Sequence, residues 1–128
     1  MKGINKVILI GNTGKDPEYK TLQDGTPVAK VTIATTETYR LKTGDKQTRT
    51  EWHSIILWRS LATFAHNYIH TGSLLYIEGK LRNRTYEDKE GQKRYVTEVV
   101  ADEVVLLDKK TKIEQDEVEN NTDEPLPF

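Results

Sequence analysis

Ser60-Leu61-Ala62-Thr63-Phe64-Ala65-His66-Asn67-Tyr68-Ile69-His70-Thr71-Gly72 is the stretch where the apolar rhythm of this chain changes. Leu61, Ala62, Phe64, Ala65, Tyr68 and Ile69 recur three and four residues apart, the spacing that gathers side chains on one face of a helix. Gly72 follows as a C′ residue able to end it. The spacing predicts a single helix of about ten residues. On both sides the pattern is mostly period two, as in strands. β-branched residues crowd into Val7-Ile8-Leu9-Ile10, Val28 to Thr36 and Ile55-Ile56-Leu57 before the helix, and into Leu74 to Ile77 and Val96 to Leu107 after it. Residues of this type favour pleated, half-buried surfaces.

Turn chemistry separates these runs. Gly11-Asn12-Thr13-Gly14 with Pro17, then Gln23-Asp24-Gly25-Thr26-Pro27, Lys42-Thr43-Gly44-Asp45 and Asp88-Lys89-Glu90-Gly91-Gln92 are each short enough for a hairpin or a tight corner. Three strands, one helix and two more strands is the order of an OB-fold, an all-β five-stranded Greek-key barrel with its helix between strands three and four. A small barrel of another topology is the alternative.

The 128 residues suffice for one domain, which at this size buries roughly two-thirds of its unfolded surface. Without cysteine, the chain has no disulfide, thiol nucleophile or thiolate metal site. The apolar stretch near the N-terminus is too short for a signal or a membrane span, so a cytoplasmic protein is expected. The net charge of −1 hides a division. Residues 1–112 carry 19 basic and 14 acidic side chains, whereas residues 113–128 carry six acids and no base. A basic body and an acidic tail meet different partners or compete for one basic surface. The domain is expected over 1–107. Residues 108–128, polar and poor in aromatics, read as a disordered tail whose end, Asp123-Glu124-Pro125-Leu126-Pro127-Phe128, is extended and suited to docking in a pocket.

Side chains two apart share one face of a strand. Trp52 and Trp58, six apart, therefore project to one side of the third strand. On the fourth, Lys80, Arg82, Arg84 and Tyr86 share one parity, and Leu75, Ile77 and Leu81 the other. A face that is both basic and aromatic suits single-stranded nucleic acid, whose bases stack on rings at about 1–3 kcal/mol each while cations neutralise phosphates. Taken singly, the tryptophans read equally well as core residues, and the basic run as a solvated strand face. The loop from Tyr39 to Arg49, with Arg40, Lys42, Lys46 and Arg49, is either an arm that closes over a bound strand or a soluble hairpin tip.

Enzyme chemistry finds no foothold. Gly11 to Asp16 has the Gly-Lys step of a phosphate-binding loop, but Leu9 stands where its first glycine belongs and Asp16 where its Ser/Thr belongs. His53, His66 and His70 lack companion carboxylates at ligand spacing, and no nucleophile–base or paired-acid set stands out. No catalytic residue, metal or cofactor is expected.

Four segments resemble the bacterial single-stranded DNA-binding protein family: Asn5-Lys6-Val7-Ile8-Leu9-Ile10-Gly11-Asn12 with Asp16-Pro17-Glu18, Thr50-Glu51-Trp52-His53, Tyr76-Ile77-Glu78-Gly79-Lys80-Leu81-Arg82, and Thr97-Glu98-Val99-Val100. Together they span about residues 1–107, in the family's order. The resemblance implies an OB-fold, a homotetramer, and sequence-independent binding of single-stranded DNA during replication, recombination and repair. It places base-stacking aromatics at Tyr39, Trp52, Trp58 and Tyr86; tyrosine stands at two positions where tryptophan is common, and still offers a π-face. It gives His53 to a subunit contact, and Asp123, Glu124, Leu126, Pro127 and Phe128 to a tip that binds replication, repair and recombination enzymes. Pro125 interrupts the acids of that tip, and the long Gly/Gln-rich linker of many members is missing. Two other readings use the same residues: an RNA-binding OB module, and a protein-interaction adaptor whose basic face is only solubilising.

Overall fold

Alternation along extended chain decides which residues meet inside. Ala29, Val31 and Ile33 on one strand, Ile55 and Leu57 on the next, and Leu75 and Ile77 on a third are all buried, each two residues from its neighbour. The computed structural model describes residues 1–108 and arranges them as β1 (Val7–Thr13), β2 (Glu18–Thr21), β3 (Pro27–Arg40), β4 (Lys46–Trp58), α1 (Ser60–Tyr68), β5 (Leu74–Glu87) and β6 (Lys93–Leu106). The sheet runs β1-β5-β6-β4-β3-β2, and β1 also pairs with β3, which closes five strands into a barrel. The expected OB-fold is therefore present, with α1 between the third and fourth barrel strands.

Closure depends on two irregular places. β1 lies antiparallel to β5 from Val7↔Gly79 to Asn12↔Leu74, then reaches across to β3 at Asn12↔Ala34 and Thr13↔Ile33. At Gly11 a Cβ would fall 2.3 Å from the Ala34 carbonyl oxygen, so only glycine lets the two backbones approach. On the far side, β4 and β6 run parallel at Ile55↔Val99 and Ile56↔Val100. The β5–β6 register jumps between Glu78↔Glu103 and Gly79↔Ala101, leaving Asp102 as a bulge. The extra residue moves the inward face of β6 from Val99 and Ala101 to Val104 and Leu106.

The helix is where its spacing put it. Ala62 and Ala65 are fully buried, and Leu61, Phe64 and Ile69 pack on the barrel interior. It ends at Ile69, which is extended, so Gly72 is not its C′ residue but lies in the turn before β5, with φ +87.

Three further expectations change. Gly11-Asn12-Thr13 belongs to β1 rather than to a turn. β2 adds a short sixth strand on the edge of β3, from Glu18↔Lys30 to Thr21↔Pro27. Asp108, taken as the head of the tail, is bound to the barrel, because its carboxylate accepts from the Leu74 N–H. The rest of the tail, including Asp123, Glu124, Leu126, Pro127 and Phe128, lies outside the described residues. Among the described residues no helix is long and apolar enough to cross a membrane.

Aspartates tie the turns. Asp16 accepts from the Thr71 N–H at 2.8 Å and its hydroxyl at 3.0 Å, clasping the α1–β5 turn to the end of β1. Asp24 accepts from the Thr26 N–H. Asp88 accepts from Arg94 and from the N–H groups of Glu90 and Gln92 at the β5–β6 tip. Hydrogen bonds to the ionised form hold all three carboxyls below the usual 3.8: chiefly the Thr71 N–H for Asp16, the Thr26 N–H for Asp24, and Arg94 for Asp88. A carboxyl depressed in the folded state stabilises above its unfolded pKa, and that contribution is lost as pH falls through the folded value. The melting temperature is therefore expected to start falling as pH enters the ordinary carboxyl range and to keep falling down to the folded values. Asp16→Asn, which keeps an acceptor but cannot titrate, should flatten the acid limb of a melting-temperature-against-pH curve; an unchanged limb would remove Asp16 from this account.

Candidate nucleic-acid interface

With Ile55 and Leu57 pointing inward, β4 must turn Trp52, Ser54, Ile56 and Trp58 outward. Trp52 is 59% exposed and Trp58 37%, so neither is a core residue, and the reading that made them core aromatics is overturned. Neighbouring strands continue the same outer face through the pairs Glu18↔Lys30, Lys30↔Ile56, Ile56↔Val100 and Val100↔Lys80. The result is a groove of about 510 Å³ lined by Lys20, Leu22, Val28 and Lys30 on one side, Ile56 and Trp58 on its floor, and Arg82, Arg84, Glu98 and Val100 on the other side. Lys80, Arg82, Arg84 and Tyr86 all lie on this side of β5, as their parity predicts. Leu81, on the opposite parity, is nonetheless exposed, because β5 beyond Gly79 extends past the barrel.

Trp52 owes its position to Gly14, the residue that follows β1. A Cβ at Gly14 would stand 2.6 and 2.9 Å from two carbons of the indole's benzo ring, so the ring packs directly against the Gly14 backbone. The Gly14 N–H donates to the Thr32 carbonyl at 3.1 Å, which fixes that platform to β3. A rigid, exposed π-face is what base stacking uses.

The basic residues divide into two kinds. Arg84 forms a double hydrogen bond with Glu98, Nε to Oε1 at 2.8 Å and Nη2 to Oε2 at 3.1 Å, and the Glu98 side chain is 4% exposed. This bond raises the already high pKa of Arg84 and cancels its charge locally. The guanidinium also stands 5.7 Å from the centre of the Tyr86 ring, so Arg84 orients Tyr86. Lys20, Lys30, Lys80 and Arg82 make no ion pair with a described carboxylate and keep their charge for a ligand. Lys20 and Lys30 were not expected from sequence; the parity of Lys30 with Thr32 and Ala34 on β3 is the signal that would have found it. Because Arg84→Ala strands a buried carboxylate, it should lower unfolding free energy by about 1.5 kcal/mol. Arg82→Ala should leave the unfolding midpoint near that of the wild type. Equal denaturant midpoints for the two variants would contradict the division.

The β3–β4 hairpin differs from the expected loop. Pairing is unbroken from Val28↔Trp58 to Arg40↔Lys46, so Tyr39 and Arg49 sit on a strand arm, with only the tip at Lys42-Thr43-Gly44-Asp45 left as a turn. Tyr39 opposes Gln47, its hydroxyl donates to Gln47 Oε1 at 3.3 Å, and the Arg49 guanidinium lies 5.7 Å from its ring centre. By alternation Tyr39 shares its hairpin face with Arg49 and His53, while Arg40, opposite Lys46, falls on the side of Trp52. The structure thus gathers Trp52, Trp58, Arg82, Arg84 and Tyr86 on one surface and puts Tyr39 on the other face of the arm. His53, half-buried, is hydrogen-bonded through Nε2 to Thr35 Oγ1 at 2.8 Å. Among the described residues no group of three or more His, Asp or Glu is placed to hold a metal ion.

The chain is similar to known proteins in sequence and in structure. The sequence model of the Single-strand binding protein family matches residues 4–107. Single-stranded DNA-binding protein 1 of Xylella fastidiosa (strain 9a5c) is 47% identical over 111 residues, covering 86% of this chain and 82% of that protein. A solved structure of Plasmodium falciparum SSB in complex with single-stranded DNA superposes with a TM-score of 0.77 at 29% identity, covering 84% of this chain and 98% of that one.

Proposed function

The chain belongs to the Single-strand binding protein family, and from that premise we propose that the groove between β2 and β5 is where it binds single-stranded DNA, without regard to sequence, during replication, recombination and repair. The observation that carries this reading is the exposed Trp52 and Trp58 beside Lys20, Lys30, Lys80 and Arg82, which pair with no described carboxylate: rings for the bases, cations for the phosphates. Stacking accepts any base, which accounts for indifference to sequence. Arg84 and Tyr86 act as one unit at the groove's edge, Arg40 engages the strand from the Trp52 side of the hairpin arm, and Tyr39 engages it from the arm's other face. The protein makes and breaks no bond.

Assembly is part of the same reading. On the outer face of β1, β5 and β6, exposed Ile8 and Ile10 lie beside Tyr76 and Val105 through the pairs Ile10↔Tyr76 and Tyr76↔Val105. A row of this kind suits a subunit contact, and a homotetramer that includes His53 fits it. The tip residues Asp123, Glu124, Leu126, Pro127 and Phe128 recruit replication and repair enzymes by placing Phe128 in an apolar pocket and the acids against basic groups. The protein works in the cytoplasm, on the nucleoid.

Titration with oligo-dT tests the reading. Tryptophan emission should be quenched, and affinity should fall as salt rises, with a logarithmic slope of about −0.7 per neutralised phosphate. Emission and affinity that ignore both DNA and salt would leave the groove without this function. Equal competition by RNA of the same sequence would move the reading to an RNA-binding module.

A further inference from the structure

Arg59 is the residue through which β4 passes into α1, and it is the only non-glycine residue among those described with a positive φ, at φ 59 and ψ −122. A side chain in that region crowds its own backbone, and glycine adopts it freely. The turn needs the conformation: the Arg59 N–H donates to the Pro27 carbonyl at 2.9 Å, and the Arg59 carbonyl accepts from the Thr63 N–H at 3.1 Å. Neither bond needs an arginine side chain. A strained residue that the local fold does not explain points to a use elsewhere.

Its surroundings indicate what that use is. Arg59 is exposed, makes no ion pair with a described carboxylate, and directly follows Trp58. Its bond to Pro27 sets it beside Val28 at the end of the groove lined by Leu22, Val28 and Trp58. Pro27, whose carbonyl accepts from Arg59, directly follows the β2–β3 turn, so Arg59 also stands beside that turn.

We propose that Arg59 is a further DNA-binding residue, whose guanidinium takes a phosphate of the strand as it leaves Trp58 and crosses the β2–β3 turn. This rests on the groove being the DNA site. It extends the path beyond the β4–β5 face to the end of the barrel at which α1 begins.

The test is anisotropy of labelled oligo-dT over a salt series, with wild type, Arg59→Gly and Arg59→Lys, each accompanied by a thermal melt. Arg59→Gly relieves the positive φ, so it should melt no lower than wild type, yet lose about 0.7 from the logarithmic salt slope and about fivefold in affinity at about 0.1 M salt. Arg59→Lys should keep the wild-type slope. An Arg59→Gly slope equal to wild type, or an equal loss in both variants, overturns the proposal. A wild-type protein that shows no salt-dependent binding instead overturns the reading of the groove.

Discussion

Trp52→Ala should weaken oligo-dT binding by about 1–3 kcal/mol, or about 5- to 150-fold, and remove a large part of the fluorescence quenching, with little change in the salt slope. The expectation follows from the ring's setting. It is mostly exposed, lies on Gly14 and is absent from the buried core, so its loss removes a stacking surface without opening a cavity. Gly14→Val provides the companion test. Its added carbons occupy the space the indole now fills, so the ring must rotate away and affinity should fall although no group that touches DNA has been deleted. In a Trp52→Ala background the same substitution should add nothing further, the signature of two positions acting through one contact. Independent, additive losses would show that Gly14 serves the backbone rather than the ring.

The opposite face of the same strand gives the largest expected loss of stability. Leu57 is fully buried, pairs with Ala29 and sits among Val31, Ile55, Leu75 and Ile77. Leu57→Ala should cost about 2–5 kcal/mol, since the closed barrel cannot collapse readily onto the space left behind. Urea denaturation read by tryptophan emission measures it. Below the new midpoint, affinity for DNA should stay close to wild type, because Leu57 points away from the groove that Trp58 lines. A stability loss under about 1 kcal/mol would mean that the interior relaxes around the gap.

Much of this arrangement is legible in the sequence because two strong periods do the sorting. Alternation separates Ile55 and Leu57 from Trp52 and Trp58 without knowledge of the fold, and the three-and-four spacing of Leu61 to Ile69 marks the single helix. The misses have physical reasons. Glu18–Thr21 is a mostly exposed edge strand with no apolar alternation to betray it. Gly11-Asn12-Thr13 has turn composition because backbone must pass close to backbone there, a demand that also selects glycine. The Arg84–Glu98 pair joins positions 14 residues apart across β5 and β6, so nothing in the local spacing of Lys80, Arg82 and Arg84 separates the charge that is cancelled from those that are available. The parity of Tyr39 with His53 follows from unbroken pairing along the arm, which a loop-like composition of Lys42, Thr43 and Gly44 conceals.

The double pairing of β1 also sets a condition on synthesis. Val7–Thr13 is made first, but its longest partner, β5, and the β6 strand that secures β5 are made last, with about 93 residues between Thr13 and Leu106. At about 5–20 residues per second, the nascent chain carries the unpaired Val7-Ile8-Leu9-Ile10 run for about 5–20 s before the ring can shut. Local hairpins such as β3–β4 can form on the ribosome during that wait, whereas the barrel cannot. Whatever slows translation of the second half therefore prolongs the exposure of a hydrophobic strand made at the start.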